Sequence, residues 1–165
     1  MGSSAFKTVS GSSNPVLTIR EGINISRDLT DILLPIDDSL ETLQKLKVAT
    51  TLAKAFQAKI HLMGFHSGNY PEIKRIIDAY IQKASLYLNE NNVRFEVIDV
   101  DTSNKVGSVI QIAKERNINL IVVMKEVESA GENLFILTQF SEKLVNRSPI
   151  PILTIPIDSS IYPKR

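Results

Sequence analysis

Short apolar runs alternate with longer amphipathic segments along most of this chain. DILLPI (Asp31–Ile36) and NLIVVM (119–124) are continuous apolar runs, which are typical of strands buried on both faces of a sheet. Between such runs, apolar residues recur at helical spacing, and Pro71 stands where a helix is expected to begin. This alternation predicts an α/β fold with an open, mostly parallel five-stranded sheet and helices on both faces.

The remaining strands follow from the same pattern. KIHLMGF (59–65) is predicted as the second strand, and VRFEVIDV (93–100) as a more alternating third strand near an edge. A last helix is predicted over 139–146 and a last strand over 150–155. We therefore expect one domain over residues 31–157, a polar linker over 21–30 and a C-terminal tail over 158–165.

The first twenty residues repeat the end of this domain. NPVLTIRE near the start resembles IPILTIPI near the end, and Lys7, Val9, Ser12 and Pro15 also have identical counterparts at Lys143, Val145, Ser148 and Pro151. Residues 3–11 are accordingly predicted to be helical and Pro15 to begin a strand. Segment 1–20 thus has the pattern of the last helix and strand of a preceding copy of the domain.

Composition narrows the class of protein. The net charge is +1, so the composition gives no indication of a basic surface that binds nucleic acid. Cysteine is absent, which excludes disulfides. No apolar run reaches the ~20 residues of a membrane-spanning helix. We expect a soluble, cytoplasmic protein that binds neither nucleic acid nor membrane.

Several motifs together resemble the universal stress protein family. The first strand ends in an apolar-Asp-x-Ser pattern at Ile36, Asp37 and Ser39, NLIVVM resembles the family's fourth strand, and TQFSEKLVNRSPIPILTIP (138–156) resembles its closing motif. The resemblance implies a sheet with the strand order 3-2-1-4-5, as in adenine nucleotide alpha hydrolase-like folds. It also implies dimerisation through the fifth strand, and it suggests that the chain is the second repeat of a tandem protein.

In the nucleotide-binding branch of this family, ATP lies over the carboxyl ends of strands one and four, and glycines bring backbone N–H groups to the phosphates. In this chain the glycine positions fall on Met124 and near Val127, and the Gly-Ser pair falls on Thr138 and Gln139. Glu126, Glu128 and Glu132 add negative charge where the phosphates would lie. We therefore expect a degenerate site without a bound cofactor, ATP included. The residues that the resemblance assigns to it are Pro35, Ile36, Asp37, Val123, Gly131, Thr138 and Gln139.

Two alternatives remain open at this point. One is an ATP-binding domain with at most slow hydrolysis. The other is a phospho-receiver, in which Asp37 and Asp38 would hold Mg²⁺ beside Asp101. The ends of strands four and five lack the Ser/Thr and Lys that a receiver needs.

No catalytic or metal-binding set is apparent. The two histidines, His61 and His66, have no second ligand spacing and no recognisable carboxylate partner in the sequence, and a loop histidine such as His66 is usually solvated. We expect a protein that is not an enzyme.

The last strand is the remaining candidate for function. Its apolar face and open edge favour pairing with a second strand, and Pro151 and Pro156 limit its length. The sequence predicts self-association, as a dimer or as a tandem pseudo-dimer, through the following residues: Ile152, Leu153, Thr154, Ile155, Val16, Leu17, Thr18 and Ile19.

Overall fold

The fold was analysed in a computed structural model, which describes residues 8–9, 11–66, 70–125 and 139–161. The described strands are β1 (Val16–Thr18), β2 (Asp31–Ile36), β3 (Lys59–His66), β4 (Phe95–Asp101), β5 (Leu120–Met124) and β6 (Ile152–Ile155). The described helices are α1 (Leu46–Phe56), α2 (Pro71–Glu90), α3 (Lys105–Glu115) and α4 (Gln139–Arg147), with 3₁₀ turns at Leu40–Leu43 and Ser159–Ile161.

One sheet contains all six of these strands, in the order β1-β6-β5-β2-β3-β4. The five strands from β2 to β6 run parallel and have the predicted order, so the predicted α/β architecture is confirmed. The sheet has one strand more than predicted, because β1 adds to the edge of β6 in antiparallel orientation. As expected, β4 lies at the opposite edge.

Two hydrophobic cores explain why the central strands have continuous apolar sequences. Ile32, Leu34 and Ile36 of β2 pack on one face of the sheet, whereas Leu33 packs on the other. Since successive side chains of a strand point to opposite faces, a strand covered on both faces needs apolar residues at every position. Gly64 in β3 allows α2 to approach closely, because a Cβ atom there would lie 3.1 Å from Ile77.

The segment after β2 differs from what its sequence predicts. Asp38 and Ser39 are residue types that cap helices, so the sequence predicts one helix directly after them. In the structure a 3₁₀ turn comes first and α1 begins only at Leu46. Ser39 makes no capping hydrogen bond with its side chain, because its hydroxyl donates to the Asp37 carboxylate at 2.6 Å. The predicted helix over 3–11 lies largely outside the described residues. Among the described residues, no helix is long and apolar enough to cross a membrane.

Candidate functional site at the carboxyl edge of the sheet

The chain reverses its direction of winding at β2. From β2 it continues to β3 on one side, and it later returns to place β5 on the other side. In open parallel sheets this arrangement leaves a crevice at the carboxyl ends of the two diverging strands, and ligands bind there. Here the crevice lies beyond Ile36 and Met124, which end β2 and β5.

Three of the predicted site residues meet at this edge. Ile36 and Val123 are buried in the adjacent strands β2 and β5, and Asp37 follows β2 in a half-buried position. Pro35 belongs to β2 as well and pairs with β3. Asp37 accepts hydrogen bonds from the backbone N–H of Ser39 at 3.0 Å and from its hydroxyl at 2.6 Å, so its carboxylate is held in one position.

The structure adds a residue that the motif comparison did not include, the buried Lys45. Its side chain is only 2% exposed, and its ammonium donates to the Thr42 hydroxyl at 3.1 Å. That hydroxyl accepts in turn from the backbone N–H of Asp37 at 3.2 Å. Lys45 is spaced four and eight residues from Ala49 and Ala53 of the apolar helix face. This spacing is the signal that could have predicted its burial.

The charges of Lys45 and Asp37 depend on each other. Burial lowers the pKa of Lys45 to about 8, although the negative charge of Asp37 opposes this change. Burial by itself would raise the pKa of Asp37, but the charge of Lys45 and hydrogen bonds from Ser39 and Thr42 outweigh it and hold that pKa below its ordinary value. The crevice therefore contains two opposite charges that act on each other across the Thr42 hydroxyl, without a direct ion pair.

Some of the residues that the sequence assigns to the site lie outside the described residues. They are Gly131 and Thr138, and the three glutamates at positions 126, 128 and 132 also lie outside the described part of the chain. Gln139 is the first residue of α4. Lys125 is held where β5 ends, because its backbone N–H donates to the carbonyl of Ile155 at 2.7 Å and its ammonium donates to the carbonyl of Ser12 at 3.1 Å.

Strand order weakens the phospho-receiver alternative. Asp101 ends β4, and β3 lies between β4 and the strand that precedes Asp37. Neighbouring strands are about 4.8 Å apart, so the two backbones are separated by roughly 10 Å at this edge. A shared Mg²⁺ ligand set is not favoured by this arrangement.

Both histidines have carboxylate partners that the sequence did not reveal. His66 lies 3.0 Å from the Asp99 carboxylate, to which Lys74 also donates at 3.3 Å, so it is not simply solvated. His61 is buried at the amino edge, where Nε2 lies 2.7 Å from a carboxylate oxygen of Asp31 and Nδ1 lies 2.8 Å from a carboxylate oxygen of Glu96. One buried imidazole thus bridges two carboxylates.

Glu96 also contacts two cations, and together with His61 and Asp31 they form a cluster of charged and polar side chains at the amino edge. It accepts from Lys59 at 2.5 Å and from Arg116 at 3.2 Å, besides His61. The hydrogen bond from Lys59 is the main reason that the pKa of Glu96 lies below its ordinary value. Burial opposes this effect, and the contact with His61 lowers the pKa further. Three strands and the end of α3 contribute to this cluster, which is why no local spacing indicated it.

The outer edge of β6 is covered by β1. Leu17 lies opposite Leu153, Val16 opposite Thr154 and Thr18 opposite Ile152. Leu17 and Leu153 are equivalent positions of the repeated VLT and ILT segments. The register is therefore symmetric, as it is where two copies of one strand meet across a two-fold axis.

Comparison with known proteins relates the chain to one family. The model of the universal stress protein family matches residues 29–156. No curated protein sequence matches the chain. A solved structure of a universal stress protein in complex with cAMP superposes with a TM-score of 0.63 at 18% identity, over 78% of this chain and 98% of that chain.

Two longer structures match more of the chain. A universal stress protein from Archaeoglobus fulgidus superposes with a TM-score of 0.74 at 17% identity, over 94% of this chain and 55% of its own. A putative universal stress protein from Pseudomonas aeruginosa gives a TM-score of 0.62 at 16% identity, over 93% and 56%. At these identities the similarity shows the fold alone.

Proposed function

The chain belongs to the universal stress protein family, and from this premise we propose that it is a non-catalytic domain that acts through assembly at the edge of β6. In this proposal β1 stands where the last strand of another copy of the domain would pair, so the chain forms a tandem pseudo-dimer contact within itself. Its biological role is a stress-response or regulatory one, as the family resemblance suggests. The compartment that we expect is the cytoplasm.

The register of β1 against β6 is the observation that carries this proposal. Leu17 pairs with its equivalent Leu153. On either side, Val16 pairs with Thr154, the equivalent of Thr18, and Thr18 pairs with Ile152, the equivalent of Val16. An unrelated N-terminal segment would not be expected to pair with β6 in a register centred on two equivalent residues. The longer structures from two organisms support a tandem arrangement, since their matches also include a larger share of this chain than the match to the shorter cAMP complex.

Breaking β1 tests the assembly proposal. Leu17→Pro removes a backbone donor and imposes a φ angle that disfavours strand pairing, so the edge of β6 becomes free to pair with a second chain. We expect the chain to sediment as a monomer and the variant as a dimer at tens of micromolar, whereas Ser13→Pro, which lies outside β1, leaves the monomer unchanged. Identical sedimentation of the chain and the Leu17→Pro variant would contradict the proposal.

Adenine-nucleotide binding is the second candidate function. The position of Asp37 at the crevice and the complex of a similar structure with cAMP favour it. Against it stand the missing glycines and the three glutamates of segment 126–132. In addition, the Asp37 carboxylate is already engaged by hydrogen bonds from Ser39 and by the positive charge of Lys45.

Calorimetric titration separates the two candidates. We expect no heat of binding at micromolar strength for ATP with Mg²⁺, for AMP or for cAMP, with inorganic phosphate as the control for a simple anion. A dissociation constant in the micromolar range for any of the three nucleotides would make nucleotide binding the better proposal. The same titration of the Asp37→Asn variant would then locate the site, because only binding at this crevice would change.

A further inference from the structure

A cavity of ≈ 960 Å³ opens at the amino edge of the sheet, away from the crevice beside Asp37. One wall is the linker, over residues 19–27. The other wall consists of the amino ends of β5 and β6 and the last turns of α1 and α3, where Phe56 and Lys114 lie. The volume is in the range of small-molecule sites, which are about 300–1,000 Å³.

The walls of this cavity are mainly apolar. Leu29, Leu52, Ile118 and Leu153 line it, and the large side chains of Ile25 and Phe56 there are 63% and 57% exposed. Apolar side chains that face one common space, instead of being scattered over the surface, mark a site for a ligand or a partner.

The polar groups around the cavity are predominantly cationic. Arg20, Arg27 of the linker and Lys114 of α3 line it, and Glu21 is the only carboxylate among the described residues that line it. None of the three cations forms an ion pair with a described residue. The lining amide of Asn119, in contrast, already accepts hydrogen bonds from Thr30 and Asp31.

The helices restrict where an anion can lie. The carboxyl ends of α1 and α3 point at this edge, and their free carbonyls carry partial negative charge. Lys114, in the last turn of α3, offsets that charge locally. An anionic group is therefore stabilised on the linker side, next to Arg20 and Arg27.

We propose that this cavity binds an amphipathic carboxylate, a molecule like a fatty acid with a linear hydrocarbon chain. The chain lies against the apolar wall between α1 and the amino ends of the strands, and the carboxylate is bound by Arg20 and Arg27. Guanidinium groups suit this role because their planar donors match the two carboxylate oxygens. The free acid is favoured over a lipid in a bilayer, since the linker covers one side of the cavity and a bilayer needs an open face.

Titration of dodecanoate into the full chain, below its micellar concentration, tests this proposal. We expect one molecule per chain, and a loss of affinity of about ten-fold for each arginine in Arg20→Gln and Arg27→Gln, as expected for a charge-assisted contact. Lys47→Gln, an exposed cation on α1 that does not line the cavity, is the matched control and should leave the affinity unchanged. Ile25→Ser tests the apolar wall and should weaken binding as well.

Each of the other outcomes overturns the proposal. Equal affinity for dodecyl trimethylammonium would exclude recognition of an anion, and the absence of dodecanoate binding would exclude the site. Binding to phosphatidylglycerol vesicles without binding of free dodecanoate would assign the surface to a bilayer. Leu17 and Leu153 line the cavity, but all these titrations use chains with β1 intact, so their failure is distinguishable from a failure of the sedimentation test.

Discussion

Replacing Asp37 by asparagine is expected to lower the free energy of unfolding by about 2 kcal/mol, less than the ~3–5 kcal/mol for a broken buried ion pair, because Asp37 acts on Lys45 only across the Thr42 hydroxyl. Asparagine keeps the shape and still accepts hydrogen bonds from Ser39. It leaves the ammonium of Lys45, which is 2% exposed, without a countercharge. Urea unfolding at pH 7 measures the effect.

Asp38→Asn is the matched control for this variant. Asp38 is the neighbouring carboxylate but is exposed, so its neutralisation should change stability by less than about 0.5 kcal/mol. The double variant Asp37→Asn with Lys45→Met should recover most of the loss, because methionine fills the same space without a charge. A loss in the double variant as large as in Asp37→Asn would show that the uncompensated charge of Lys45 is not the cause.

The pH dependence provides a second test of the same pair. The pKa of Lys45 falls from 10.5 to about 8 on folding, so between these values the unfolded chain binds more protons than the folded chain. Stability should therefore increase with pH across this window, by up to about 3 kcal/mol. Because the Lys45 ammonium loses its proton near pH 8, the deficit of Asp37→Asn should shrink above that pH, and a deficit that stays constant to pH 9.5 would contradict this.

His61→Leu is expected to cost about 2 kcal/mol at pH 7, because Asp31 and Glu96 lose the hydrogen-bonding imidazole that bridges them. The value lies below the ~3–5 kcal/mol for fully buried pairs, since both carboxylates are about a quarter exposed and Glu96 keeps Lys59 and Arg116. Thermal and urea unfolding measure the difference.

The other histidine supplies the control for His61→Leu. His66 pairs with Asp99, a carboxylate that is 55% exposed, so His66→Leu should cost less than about 1 kcal/mol.

The folded pKa of Glu96 is depressed, so the stability it contributes is present above its ordinary value of 4.5 and is lost as the pH falls through the folded pKa. The deficit of His61→Leu should accordingly shrink below about pH 4.5. Equal losses in both variants at pH 7 would exclude a special role for His61.

The amino-acid sequence determined the elements and their order. The continuous apolar runs identified β2 and β5 as buried strands, and the alternation identified β4 as an edge strand. This works because side chains alternate between the two faces, so the sequence pattern shows how many faces are covered. The repeated VLT and ILT segments likewise predicted that β1 and β6 are related strands. These are local patterns, and local patterns can be recognised without knowledge of contacts.

The tertiary structure alone decided which charges meet. Lys45 and Asp37 are separated by a 3₁₀ turn, and Ser39 before that turn donates to the Asp37 carboxylate instead of capping a helix. His61 meets Asp31 and Glu96 because three strands that are distant in sequence lie side by side in one register. The cavity at the amino edge requires the linker to fold over the ends of β5 and β6. The strength of these electrostatic contacts depends on distances across the sheet, and those distances cannot be read from the spacing of the residues along the chain.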